Sequence, residues 1–414
     1  MVKGAILFVL MFVLFRVAAQ TEADVEALNA RIRLLEEKVN SFEKDDMLLT
    51  VNKDDTVGVF DYDVVATQDM SVLSRNRQIN ALIEMMQEKE RGKIQFKGAS
   101  TTILQSGRQN EEWHSTLSSS FDIFAIATFN AYSTLFFDLE AVTGNGPDAY
   151  FRNYTGLNGD AGSTLSDDGI NRLNLLEAWG EFSLFKSNLK MIVGKIDLTN
   201  YFDNNSSAND ETVQFISNAF INNASFAVPT NSPGAIARGV LFNRLFLQIA
   251  LSKIQNTGDE IFSDLYQIAG IGYKFLPGSN FETNLRFFGY QHPTTGNSAG
   301  WGLSFDEVVF GKFNIFGRYG ANQSRIAEMW GVKTAWSTGV RYVQDVKKKP
   351  VVFGAAYAET NFSCTNYTTE HLVEIYTRCQ LNQWAHVSPH FQMIWGGECI
   401  GRIFVYGFRT HFNF

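Results

Sequence analysis

"GRIFVYGFRTHFNF", residues 401–414, closes the chain. Every second residue gives Phe404, Tyr406, Phe408, Thr410, Phe412 and Phe414, with Val405, Gly407, Arg409, His411 and Asn413 between them. A period of two marks a β-strand, whose successive side chains point to opposite faces. One face is almost wholly aromatic, while the other carries arginine, histidine and asparagine. Chain ends usually fray and stay polar. An aromatic face that runs to the last residue therefore raises the question of which solvent it meets.

The same texture extends back to Lys93. Strands are expected near 93–104, 117–130, 133–141, 172–185, 188–198, 235–241, 244–253, 264–275, 281–290, 301–309, 313–321, 331–343, 351–361, 369–380, 386–396 and 402–414. That makes an even number, with lengths close to the ~9–11 residues a tilted membrane strand needs. The joints alternate. Long Asn/Asp/Gly/Ser-rich connections are expected at 105–116, 142–171, 199–234, 254–263, 291–300 and 322–330, with short turns between them. Long loops at one end and short turns at the other, with only every second residue apolar, describe an all-β transmembrane barrel of about sixteen antiparallel strands. The aromatic face of 404–414 then meets lipid, and closure leaves no bare edge. The terminal Phe414 also resembles the assembly signal of outer-membrane proteins. Composition agrees: 36 Phe and 33 Gly against 7 Pro, with a mean hydropathy near neutral. A formal charge of −8 gives no nucleic-acid footprint. Three Cys in 414 residues are no disulfide scaffold.

The N-terminal part reads differently. Lys3, the apolar run Gly4–Phe15 and Val17/Ala19 before Gln20 form a secretory signal peptide over 1–19. Val25, Leu28, Ile32, Leu35, Val39 and Phe42 fill every a and d position of a heptad pattern within 20–45. Arg31, Ile32, Leu35 and Glu36 resemble a trimer-specifying motif, whereas Ile and Val at a with Leu at d favour two strands. A single amphipathic helix packed on its own domain is the other reading. Residues 46–92 form a linker with a second helix over 70–91.

Alternation also picks out side chains for the barrel interior. Arg244, Arg286, Arg318, Arg341 and Arg409 fall on inward faces, with Arg238 beside them, as do Glu177 and Glu181. A charge at the lipid midplane costs roughly 2–4 kcal/mol for Arg or Lys, which supports inward placement. Such rows would either set a transverse field across a pore or brace the inner wall with Arg–Glu pairs. Cys364 and Cys399 fall in neighbouring outer loops, where an oxidising setting permits a disulfide, leaving Cys379 unpaired. His386 and His390 in "HVSPH" invite comparison with barrel hydrolases. With six His scattered over the chain and no P-loop, dinucleotide fingerprint or Cys/His cluster, no enzyme activity, metal or cofactor is expected.

"GKIDLTNYFD" (194–203), "ANDET" (208–212), Gln214–Phe215, "VSPHFQMIWGG" (387–397) and "VYGFRTHFNF" (405–414) resemble the carbohydrate-selective porins of Gram-negative bacteria. The likeness spans most of 93–414. It implies a sixteen-stranded outer-membrane channel for sugars and other small solutes, narrowed by loop 199–234, with Asn209, Asp210 and Glu211 at the constriction. The heptad segment departs from the plain sugar porin and resembles relatives with a periplasmic stalk, whose solutes are often ionic. The expected function is passive diffusion of small hydrophilic solutes through a homotrimer set in outer-membrane lipid. The competing reading is a structural barrel that tethers the membrane to peptidoglycan or a surface layer through the coiled coil.

Overall fold

A computed structural model describes residues 94–130, 132–162, 172–185, 188–242, 244–255, 259–277, 279–296, 298–364, 366–398 and 401–414. The signal peptide, the coiled coil with Arg31, Ile32, Leu35 and Glu36, and the linker lie outside the described residues.

Sixteen antiparallel strands close into one barrel. They are β1 (Ile94–Gln109), β2 (Glu112–Asn130), β3 (Ser133–Gly144), β4 (Arg172–Leu184), β5 (Leu189–Ile196), β6 (Ser232–Leu241), β7 (Leu245–Lys253) and β8 (Leu265–Phe275) in the first half. The second half holds β9 (Thr283–Gln291), β10 (Ala299–Val309), β11 (Phe313–Asn322), β12 (Val332–Val346), β13 (Lys349–Phe362), β14 (Glu370–Asn382), β15 (Ala385–Trp395) and β16 (Arg402–Asn413). Each strand pairs with its sequence neighbours, and β1 closes the ring on β16 in the register Thr101↔His411 and Leu104↔Phe408. No edge is left to pair elsewhere.

β16 bears out the period-two reading. Ile403, Val405, Arg409 and His411 are buried inside, while Tyr406, Phe408 and Phe412 are exposed outside. Outward aromatics gather towards the short-turn end, where Phe129, Tyr132, Phe185, Phe242, Phe310, Trp384 and Phe414 are all exposed. Trp113, Trp301 and Tyr406 stand outward nearer the other end. Apolar walls between aromatic girdles are the outer surface of a membrane barrel.

One connection differs from expectation. Residues 105–116 are not a long loop: β1 and β2 run on to a two-residue turn at Asn110 and Glu111, paired to Gln109↔Glu112. The Ser, Gln and Arg residues that suggested a loop are strand residues. Ser106 and Ser115 share a hydrogen bond of 2.7 Å, and the Arg108 guanidinium lies 5.6 Å over the Trp113 ring. This pair of strands remains regular while its side chains become polar.

The barrel interior holds a core. Segments 145–162 and 197–231, the connections after β3 and β5, fold inward instead of standing over the mouth. Phe215 and Phe220 from the second segment pack with Phe316 and Tyr376 of the wall, and Phe226 packs with Phe288 and Tyr290. Glycine makes room for them. A Cβ on Gly320 of β11 would lie 2.1 Å from Ser225 Oγ, and one on Gly107 of β1 would lie 2.2 Å from the Phe151 ring.

Candidate functional site

Burying a thirty-odd-residue segment inside a barrel is costly unless its backbone groups find partners. The wall supplies them. Arg318 of β11, fully buried, donates from Nε to Asp203 Oδ1 at 3.1 Å and from Nη1 to the Phe220 carbonyl at 2.6 Å. Its Nη2 reaches the Asp203 carbonyl at 3.0 Å and the Ala208 carbonyl as well. Arg341 of β12 donates to the Ser206 carbonyl at 2.8 Å, and Arg378 of β14 to the Val213 carbonyl at 3.3 Å. Arg409 of β16 donates to the carbonyls of Glu211 and Gln214.

Carboxylates take the opposite role. Glu374 of β14 accepts from the backbone N–H groups of Ile216 (2.7 Å) and Ser217 (3.0 Å). Asp306 of β10 accepts from Ser206 Oγ at 2.8 Å, from Asn284 and from Arg286, its ion-pair partner at 2.7 Å. The first inward segment is held in the same way: Glu370 of β14 accepts from the N–H groups of Tyr154 and Thr155. The two segments are also joined directly, Gly159 N–H to the Ile216 carbonyl at 2.9 Å and Ser217 Oγ to the Gly156 carbonyl at 2.6 Å. They form one assembly inside the barrel.

Carboxylates are concentrated on one stretch of the ring. On the inner face of β2–β4 the register sets Asp122 opposite Glu140 and Asp138 opposite Glu177. All four are buried. The buried arginines lie along β11, β12, β14 and β16, with Glu370 and Glu374 of β14 among them. Within the inward segments, burial drives two carboxyls upward. Asp160 is raised to about 7 by burial, with the Ser120 hydrogen bond opposing and the Asp122 charge adding to it. Asp203 is raised by burial despite the Arg318 charge beside it.

The charged barrel residues singled out in the sequence now have a place. Arg318, Arg341 and Arg409 point inward and hold the loop. Glu177 accepts from Trp179 Nε1 (3.0 Å) and Asn200 Nδ2 (3.1 Å), and Glu181 pairs with Lys190 at 2.9 Å. These two line a cavity of about 390 Å³ with Arg238, Arg286, Tyr201 and Gln248. Arg244 departs from the expected pattern: it sits in the turn before β7 and is exposed, because that strand begins one residue later. Asn209 and Asp210 are buried within the inward loop. Asp210 Oδ1 accepts from Thr212 N–H at 3.0 Å and from its hydroxyl at 2.6 Å, while Glu211 meets Arg409 through its backbone carbonyl. Asp210 also borders a second cavity, of about 510 Å³, with Lys97, Asp122 and His411.

Cys364 is exposed and unbridged, Cys379 is also a free thiol, and Cys399 lies outside the described residues. The expected Cys364–Cys399 pairing therefore falls partly outside the described residues. His386 is stacked on His411 with ring centroids 4.7 Å apart, and His390 lies against Gly407. Neither ring shares a hydrogen bond with a serine hydroxyl among the described residues. Arg378, Glu370, Glu374 and Asp306 were not singled out. The alternation of β14, Glu370-Leu372-Glu374-Tyr376-Arg378 inward, carries the signal that identifies three of them.

No family model matches the chain. An uncharacterised protein of Aquifex aeolicus (strain VF5) is 26% identical over 243 residues, covering 59% of this chain and 70% of that protein. Among solved structures, the high-pH form of Pseudomonas putida OprB superposes with a TM-score of 0.63 at 12% identity, covering 82% of this chain and 96% of that one. Its low-pH form gives 0.51 at 12% identity, over 84% and 98%. A mutant of the Rh. blastica porin gives 0.51 at 10% identity, over 78% and 100%. The fold is therefore that of a porin-like β-barrel.

Proposed function

We propose that the protein is an outer-membrane porin, a passive diffusion channel for small hydrophilic solutes, sugars and ions among them. The observation that carries this reading is the inward segment 197–231, fixed to the wall by Arg318, Arg341, Arg378, Arg409 and Glu374. A barrel that serves only as an anchor has no need of a loop docked so specifically inside it. A diffusion channel does, since a fixed constriction sets the size limit. Selectivity would come from side chains that face the remaining space. The acidic wall of β2–β4 and the arginines around Arg238 and Arg286 would set the transverse field.

In this reading the channel works as a homotrimer in outer-membrane lipid. The Arg31–Glu36 motif supports a three-stranded periplasmic coiled coil that could also reach peptidoglycan, and the likeness of 194–215 to carbohydrate-selective porins supports sugars among the solutes. Proteoliposome swelling tests the reading. Vesicles carrying the protein should swell in arabinose and progressively less in longer maltooligosaccharides. Equal rates with protein-free vesicles for every solute would refute it.

A further inference from the structure

The 390 Å³ cavity at the short-turn end of β4–β9 carries two carboxylates on its wall, Glu177, which accepts from Trp179 and Asn200, and Glu181, which pairs with Lys190. Four cations border it: Lys190, Arg238, Lys274 and Arg286. Three are matched, Lys190 by Glu181 at 2.9 Å, Lys274 by Glu282 at 3.4 Å and Arg286 by Asp306 at 2.7 Å. Arg238 is not. Its guanidinium lies 4.9 Å over the Phe246 ring, its Nε is buried with no acceptor, and no ion pair or hydrogen bond engages it among the described residues.

The strand register sharpens the point. Lys190 and Arg238 are direct partners across β5 and β6. Both line the cavity, so two cations stand side by side on one face. Like charges directly opposite destabilise a sheet, and a guanidinium offers a planar fork of donors suited to a carboxylate or phosphate. Gln248, the register partner of Arg238 on β7, is committed elsewhere, its Nε2 donating to the Tyr201 carbonyl at 2.7 Å.

We infer that Arg238, with Lys190 and Arg286 beside it, forms an oxyanion subsite that binds the carboxylate or phosphate of a passing solute. This rests on the channel reading and names its preferred solute class: small acidic metabolite-like anions rather than neutral sugars alone. Binding would be charge-assisted and bidentate.

The test is conductance of the full-length protein in planar bilayers with potassium succinate, potassium phosphate or potassium chloride, alongside Arg238→Gln and Arg238→Lys. In the wild type, current should saturate with succinate, phosphate or both, and the anion that saturates assigns the headgroup. Arg238→Gln should raise the half-saturating concentration about tenfold or more, as loss of a charge-assisted fork implies, with Arg238→Lys intermediate. A purely structural Arg238 predicts a lower melting temperature for Arg238→Gln; the subsite predicts an unchanged or higher one without anion. Isothermal titration of detergent-solubilised wild type with each anion needs no variant and should show one site. Chloride steps that open normally, with linear succinate and phosphate currents and no calorimetric binding, would overturn the subsite and leave the channel standing. No steps in any salt would overturn both.

Discussion

Replacing Arg318 by Met should undock the inward loop without dismantling the barrel. Arg318 and Asp203 are both completely buried, and the guanidinium also serves the carbonyls of Phe220, Asp203 and Ala208. Deleting one partner of a buried pair costs ~3–5 kcal/mol, because the other charge is left uncompensated. The sixteen-strand ladder does not share that loss, since Arg318 reaches the sheet only through its own backbone. The cost falls on docking, and ~4 kcal/mol shifts the docked-to-undocked ratio by roughly a thousandfold. Single-channel recording with poly(ethylene glycol) of graded size as the excluded solute reads this directly. Arg318→Met should raise both conductance and the largest polymer admitted, with noisier open levels. Adding Asp203→Asn removes the orphaned charge and should bring conductance and noise part of the way back. Wild-type conductance and polymer cut-off in Arg318→Met, with the second substitution changing nothing, would refute the reasoning.

Three other outcomes follow from the same geometry. Gly320→Val should loosen the loop from the opposite direction, because a side chain there runs into Ser225 and Asn223; a wider polymer cut-off with an intact heat-resistant barrel on gels is the expected result. Asp160, raised to about 7 from an ordinary 3.8, holds its proton in the folded state, so the stability it contributes is full below about pH 4 and is lost as pH rises through 7. Asp160→Asn should therefore melt progressively higher relative to wild type between pH 5 and pH 8, and a constant difference across that range would contradict the placement. Brominated lipids should quench fluorescence from outward Trp113, Trp301 and Trp384 but not from Trp179, which is buried inside beside Phe136; single-Trp variants resolve the four.

The strands were legible because each had to satisfy two solvents. Along β16 the alternation of Tyr406, Phe408 and Phe412 with Val405, Arg409 and His411 is imposed by lipid on one side and packed protein on the other. The rule weakens where that contrast ends. At 105–116 the strands β1 and β2 continue while their outer residues become polar, and polarity was read as a loop. Arg244 was misplaced by a one-residue error at a strand start, which is enough to move a side chain out of the pattern. What alternation could not convey is what meets an inward side chain. Arg318 and Arg409 read as pore lining, yet their guanidiniums are spent on loop carbonyls. Arg238, which looks no different in the sequence, lines a cavity with its Nε lacking an acceptor. That distinction depends on contacts between residues about a hundred or more positions apart.

The proposed channel must conduct through a lumen narrowed by its own loop. Incorporating the purified, folded protein into a planar bilayer in potassium chloride tests it most directly. Discrete, stable conductance steps that become larger in Arg318→Met are the expected result. Folded protein that inserts and yet passes no current, in wild type and variant alike, would contradict it.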